Sequence, residues 1–239
     1  MAIDLDMTLA QVVDAHPPLA RELERRGLDY CCGGGRTLAE ACAWHELDPG
    51  LTIVELAAAV NDSVAAEWTT MTATELVDYL EATHHHYLRD ELPRIAKLMD
   101  KIVAVHGERH PELAYTASVF AHLCADLEPH MLKEERVLFP MIRELESSTL
   151  MPSFHCGSLG NPISVMLFEH DAVGGLLSEL RRLTGGYQSP ADGCASYVAC
   201  LAALAELEAN THMHIHKENN VLFPMVLHME SARNAALQS

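Results

Sequence analysis

The sequence predicts an all-α protein: an antiparallel four-helix bundle preceded by a small helical N-terminal domain. Three observations predict it. Apolar residues recur at helical spacing over four long segments. No stretch shows the alternation of a half-buried strand. And one stretch occurs twice: His130-Met131-Leu132-Lys133-Glu134-Glu135-Arg136-Val137-Leu138-Phe139-Pro140-Met141 returns as His214-Ile215-His216-Lys217-Glu218-Asn219-Asn220-Val221-Leu222-Phe223-Pro224-Met225, each matched residue displaced by 84 positions. Residues four apart on a helix share a face, so each copy aims an imidazole and a carboxylate in one direction.

The first domain is expected over residues 1–62. Thr8 is expected to cap a helix reaching Arg26, interrupted by Pro17-Pro18 and ended by Gly27. Thr37-x-x-Glu40 reads as a capping box for a helix to about Glu46, and Thr52-x-x-Glu55 as another to Val60. Between the first two lies Asp29-Tyr30-Cys31-Cys32-Gly33-Gly34-Gly35. Three glycines after two cysteines exclude a stable helix interior and make a turn that presents both thiols.

The bundle is expected over residues 72–239. Thr72-x-x-Glu75 opens its first helix, to about Val105, with stripe Val77, Leu80, His84, Leu88, Glu91, Ile95, Leu98 and a kink at Pro93. Gly107 follows, and Pro111 starts the second helix, to about Glu146, with stripe Phe120, Leu123, Leu127, His130, Glu134, Val137, Met141, Leu145. A loop over 147–161 carries His155 and Cys156 and reads as a plain connection. Asn161-Pro162 opens the third helix, to Leu183, with stripe Ile163, Met166, His170, Val173, Leu177, Leu180. Gly185-Gly186 stop it. Ser189-Pro190 starts the fourth, to about Glu230, with stripe Leu201, Leu204, Glu208, Thr211, His214, Glu218, Val221, Met225. Four such helices on moderate connections form a bundle.

Composition narrows the function. The 239 residues are 49% hydrophobic, enough for a substantial core. Formal net charge is −18, which argues against nucleic acid and anionic membranes, whose phosphates need Lys and Arg. No signal peptide and no membrane-spanning run is read. Seven cysteines without disulfide spacing suit the reducing cytoplasm.

The stripes select among fifteen histidines. His84, His130, His170 and His214 fall on apolar faces, one per helix; His85, His86, His212 and His216 do not. With Glu134 and Glu218 they make a set of four imidazoles and two carboxylates. A lone His on an apolar face is more often a hydrogen-bonded core residue, but four of them, two paired with a Glu in a duplicated motif, are hard to read that way; a buried carboxylate is costly unless paired or metal-bound. Six groups exceed what one zinc takes and fit two metals about 3.5 Å apart, iron or manganese rather than calcium. Asp126, Glu135 and Glu169 are candidates to orient the imidazoles from behind, or plain solvated residues.

These motifs resemble a known family. The paired His-x-x-x-Glu helices with single-His partners resemble the haemerythrin-like bundle. Asp29-Tyr30-Cys31-Cys32-Gly33-Gly34, with the Leu38-Ala39 helix behind it, resembles the N-terminal domain of the repair-of-iron-centres proteins; Glu169-His170-Asp171 and both Leu-Phe-Pro segments match that family's bundle. The resemblance covers nearly the whole chain. It implies a cytoplasmic, homodimeric protein of the stress response, with two non-haem iron ions, oxo- or hydroxo-bridged, on His84, His130, Glu134, His170, His214 and Glu218. It implies repair of iron–sulfur clusters damaged by nitric oxide or peroxide, with iron donation and Cys31 and Cys32 as relay. Two other readings use the same ligands: reduction of nitric oxide to nitrous oxide, and reversible binding of oxygen or nitric oxide.

Overall fold

Capping boxes and prolines set the local structure of the N-terminal part. In this computed structural model, residues 2–60 and 66–236 are described. The chain divides into two compact units, one comprising Met1–Leu76, Thr149–Met151 and His212–Ser239, the other Val77–Ser148 and Pro152–Thr211. The expected domain boundary at residue 62 and the expected end at residue 239 lie outside the described residues.

In the first unit, α1 (Leu9–Ala15) is opened by a capping box: Thr8 Oγ1 accepts from the Gln11 amide while Gln11 Oε1 accepts from that of Thr8. Pro17 and Pro18 force a single 3₁₀ turn, Pro17–Leu19, before α2 (Ala20–Arg25), and Gly27 at φ 70° closes it. A second box, Thr37 with Glu40, opens α3 (Leu38–Trp44). An isolated antiparallel bridge joins Thr8 and Thr37, and no strand occurs among the described residues. The helix expected to open at Thr52 begins earlier: α4 (Pro49–Ala59) is capped by Asp48, which accepts from Leu51 N at 2.7 Å. Aspartate followed by proline at the first helical position is the stronger start signal. Glu55, freed from that role, pairs with Arg26 at 2.8 Å. The third box, Thr72 with Glu75, precedes α5 (Ala73–Leu80).

The second unit is a helical bundle. Its long elements are α6 (His86–His106), α7 (Glu112–Lys133), α8 (Phe139–Ser147), α9 (Gly160–Leu183) and the part of α10 (Ala195–Lys217) up to Thr211. The short turn after His106 sends α7 back along α6, and α7 packs on α9. Tyr197, near the start of α10, meets His106 at the end of α6 at 5.3 Å between ring centroids. Leu92, Ile95, Leu123, Leu127, Val173, Leu177, Leu201 and Leu204 are buried in its core. The α9 stripe falls on Ile163, Met166, His170, Val173, Leu177 and Leu180, all buried as the periodicity requires.

Three of the motif segments are not α-helical. Glu81–His85, Glu134–Leu138 and Glu218–Leu222 are π-turns, in which the amides of His86, Phe139 and Phe223 reach the carbonyls of Glu81, Glu134 and Glu218, five residues back. Pro140 and Pro224 follow two of them; each lacks a donor and crowds the carbonyl four residues back, which a wider turn relieves. One inserted residue rotates everything beyond it by about 100°. Beyond the π-turns several stripe positions therefore slip by one, while Leu88, Ile95, Met141 and Leu145 stay buried as expected. Leu92 and Met99 are buried where Glu91 and Leu98 were expected, Leu138 where Val137 was, and Leu222 and Val226 where Val221 and Met225 were. Beyond the last π-turn, α11 (Phe223–Ala236) continues to the end of the described chain.

Candidate metal centre

The slip changes the first histidine. His84, expected on the inward stripe, places Nδ1 3.0 Å from Asn210 Oδ1. His85 takes the inward position, with Nε2 3.3 Å from Glu134 Oε2. The π-turn that ends at His85 supplies the extra residue that brings its ring there.

Around Glu134 the second unit gathers three imidazoles. His130 Nε2 lies 3.3 Å from Glu134 Oε1 and 3.1 Å from His170 Nε2. Ligand atoms of His130, Glu134 and His170 all fall within 4.8 Å of one another. All four groups are buried, Glu134 completely. The rear nitrogens of two of the rings are held by carboxylates. His130 Nδ1 donates to Glu169 Oε2 at 2.9 Å and His85 Nδ1 to Glu135 Oε1 at 2.7 Å. An ionised carboxylate only accepts, so Nδ1 carries the proton in both rings and each neutral ring presents a lone pair at Nε2. Lys133 braces Glu169, and Arg89 braces Glu135 with two contacts, one at 2.6 Å. Burial pushes both carboxyls up, but the hydrogen bonds from Lys133 and His130, and from Arg89 and His85, outweigh it, and both stay below the usual carboxylate range. Glu135 and Glu169 are thus the acceptors behind the rings.

This donor set fits a metal. Nitrogen lone pairs and a carboxylate aimed into one buried space repel each other unless a positive charge sits among them, and only one proton fits between His130 Nε2 and His170 Nε2. Neutral imidazole with carboxylate suits iron, manganese or zinc.

The first unit carries the second copy of the motif. His214 Nε2 is 3.1 Å from Glu218 Oε1, and both side chains are buried. The cysteine turn is fastened to the same stretch. Asn220 Nδ2 donates to the Cys31 carbonyl at 2.9 Å, and Asn219 Nδ2 reaches it at 3.4 Å. Gly34 comes so close that a Cβ there would stand 2.4 Å from the Tyr30 carbonyl and 2.6 Å from Asn220 Oδ1. Glycine is required there by space. Asp29 organises the turn: Oδ1 accepts from the amides of Cys31 and Cys32, at 3.0 and 2.9 Å, and Oδ2 from Gly33 at 2.9 Å. The Cys31 and Cys32 sulphurs are 3.9 Å apart and both thiols are free. The hydrogen bond to Cys32, burial and the Asp29 carboxylate together push the Cys31 thiol well up. Asp29, Cys31 and Cys32 offer three ligand atoms within 4.8 Å of one another.

His212 and His216, left off the stripe, have other partners in this unit. His216 is buried, with Nε2 3.0 Å from Asp14 Oδ1, which also accepts from the Trp68 indole at 2.8 Å. His212 Nδ1 lies 3.3 Å from Glu24. Lys217 is buried against Trp68, its nitrogen 4.5 Å from the ring centroid, and burial pulls its ammonium down to about 7. None of these was legible in the sequence, because each partner lies far along the chain. His155 and Cys156 lie in the loop before α9, where Cys156 Sγ approaches the Ser158 carbonyl at 3.5 Å.

A helical chain with two His-x-x-x-Glu motifs and a buried imidazole–carboxylate cluster is a protein of the haemerythrin class. Residues 76–226 match the model of the hemerythrin HHE cation binding domain, and residues 5–60 match a second family model described as a domain of unknown function. The similarity to named relatives runs almost end to end. An iron-sulfur cluster repair protein YtfE of Enterobacter sp. (strain 638) is 33% identical over 93% of this chain and 97% of its own length. Proteins of that name from Citrobacter koseri and Escherichia coli O1:K1 / APEC are each 32% identical over the same shares. The chain belongs to the family of these YtfE-type, hemerythrin-domain proteins. Among the described residues no helix is long and apolar enough to cross a membrane.

Proposed function

We propose that the protein repairs iron–sulfur clusters damaged by nitrosative or oxidative stress, with two iron ions as its resident metals. One observation carries the reading: three buried imidazoles and a carboxylate converge, with the rear nitrogens of His85 and His130 fixed by Glu135 and Glu169, in a chain whose relatives are named for cluster repair. The proposed ligands are His85 in place of His84, with His130, Glu134, His170, His214 and Glu218. Bound iron supplies the exchangeable metal that a damaged cluster lacks.

The protein's own residues hold and release it. Imidazole and carboxylate bind iron(II) less tightly than thiolates do, which favours release to a sulfur-rich client. Glu135 and Glu169 keep Nε2 of their rings deprotonated and ready to bind. Cys31 and Cys32 serve as relay, with Asp29 as third donor. The Cys31 thiol, raised by its neighbours and by burial, stays protonated until a metal displaces the proton. Tethering of this turn by Asn219 and Asn220, one and two residues beyond Glu218, supports the relay. Residues 1–62 and 72–239 are the proposed domains; the partners are damaged iron–sulfur proteins and small ligands such as nitric oxide or oxygen, and a cytoplasmic homodimer is the proposed state.

The test is recovery of an enzyme with a labile [4Fe–4S] cluster after nitric oxide treatment. Iron-loaded protein is expected to restore activity with no free iron added. Equal recovery from a matched amount of free iron(II), or no recovery, overturns the proposal.

A further inference from the structure

The cysteine turn has the dimensions of a metal site of its own. Cys31 Sγ and Cys32 Sγ stand 3.9 Å apart, and Cys31 Sγ lies 3.2 Å from Asp29 Oδ1. The three side chains offer ligand atoms that all fall within 4.8 Å of one another. A tetrahedral zinc, with bonds of about 2.3 Å to sulphur and about 2.1 Å to oxygen, holds two sulphurs about 3.8 Å apart and sulphur and oxygen about 3.6 Å apart. The two sulphurs already stand at that spacing, and the carboxylate oxygen has to withdraw by only about 0.4 Å.

The local fold fixes these distances. Successive side chains of an extended chain point to opposite faces, so neighbouring thiols meet only in a turn. Asp29 makes that turn by accepting the amides of Cys31, Cys32 and Gly33. A Cβ on Gly33 would stand 2.9 Å from the Asp29 carbonyl and 3.1 Å from Asp29 Oδ2, so this close approach needs glycine. Asn220 holds the Cys31 carbonyl at 2.9 Å. Donors placed in advance lose little freedom when an ion arrives.

The carboxylate also has room for an ion. It offers about four lone-pair sites, of which three amides take three. The fourth faces the Cys31 thiol, whose proton the ion replaces. Cys31 is buried and Cys32 half-buried, so solvent reaches the second thiol first.

The donor types select the ion. Two sulphurs and one oxygen do not suit calcium or magnesium, which take oxygen ligands. Zinc binds such a set more tightly than iron(II) does. Three protein donors leave the fourth position of a tetrahedron open, so a bound ion can exchange.

We propose that Asp29, Cys31 and Cys32 form a binding site for zinc(II), and that zinc held there stops the relay. On binding, two zinc–sulphur bonds and one zinc–oxygen bond form, both thiol protons pass to solvent, and no electron moves. The site stands on the geometry of the turn; the block on repair rests on the relay reading.

The experiment titrates full-length, iron-loaded protein with cadmium(II), a zinc analogue whose ultraviolet thiolate band reports sulphur ligands and not histidine. One equivalent is expected to give the full band while iron content stays unchanged. Zinc(II) should erase the band, and its affinity is read by competition with a chromophoric chelator. Asp29→Asn keeps an acceptor for the amides of Cys31 and Cys32 but loses the charge. It should weaken zinc by about tenfold or more, since a group on the metal costs at least what a partner behind a ligand costs. Cys31→Ala with Cys32→Ala should remove the band. No band in wild-type protein, or a band that grows only as iron leaves, overturns the proposal without any variant. So does equal zinc affinity in folded Asp29→Asn, which reduces the turn to an ordinary dithiol. With one equivalent of zinc bound, recovery of the damaged cluster enzyme should fall to that of the double cysteine variant. A full band with undiminished recovery keeps the site and overturns its block on the relay.

Discussion

Replacing Glu169 by glutamine tests whether the carboxylates behind the imidazoles tune the centre. Glu169 Oε2 takes the Nδ1 proton of His130 at 2.9 Å and lies about one quarter exposed, so the change opens no cavity in the core. Glutamine can still accept a hydrogen bond but carries no charge, so His130 loses basicity at Nε2. Loss of such a partner weakens metal binding by about 10–100-fold, or about 1.4–2.7 kcal/mol. The neutral acceptor that remains puts the expectation at the lower end of that range. The assay is anaerobic competition for iron(II) between the protein and a chromophoric chelator. Lys133→Met is the control, because it removes the brace on Glu169 but leaves the carboxylate on His130. A change of less than twofold in Glu169→Gln, or an equal loss in Lys133→Met, would refute the reasoning.

Other outcomes follow from the same geometry. His85→Ala is expected to lose iron, and His84→Ala to keep it, by metal analysis after anaerobic reconstitution; the reverse would restore the register read from the sequence. Cys31→Ala with Cys32→Ala should leave iron content intact and abolish recovery of the damaged cluster enzyme; unchanged recovery would remove the relay. Gly34→Ala should push the turn off Asn220 and speed amide hydrogen exchange over residues 28–36, with unaltered exchange counting against the close approach. Glu135 and Glu169 both titrate below the usual 4.5 when folded, so their contribution is full above that value and is lost as pH falls through the lowered one. The thermal midpoint of metal-free protein should therefore drop on acidification from pH 5, and Glu135→Gln should flatten the drop.

Much of this was legible in the sequence, and the slips of the stripes share one cause. The α9 stripe was read without error because that helix keeps one period from Ile163 to Leu180. Two capping boxes, Thr37 with Glu40 and Thr72 with Glu75, were visible because Ser/Thr and Glu/Gln three apart act locally, whereas Thr52 with Glu55 gave way to Asp48-Pro49. What the pattern could not show was a π-turn. The inserted residue changes no residue type and leaves the His-x-x-x-Glu spacing in place, yet it turned His84 aside and brought His85 to Glu134. Leu-Phe-Pro after Glu134 and Glu218 was a usable signal for two of the π-turns, since proline removes a helical donor. No proline follows Glu81 until Pro93, so the first had no such mark. The burial of His216 and Lys217 was equally hidden, because Asp14 and Trp68 reach them from distant sequence.

The most direct test is the metal content of the purified, anaerobically reconstituted protein, read with its Mössbauer spectrum. Two irons per chain, bound by nitrogen and oxygen and spin-coupled when oxidised, is the expected result. A single tetrahedral zinc, or no retained iron with His85, His130, His170 and Glu134 intact, would contradict it.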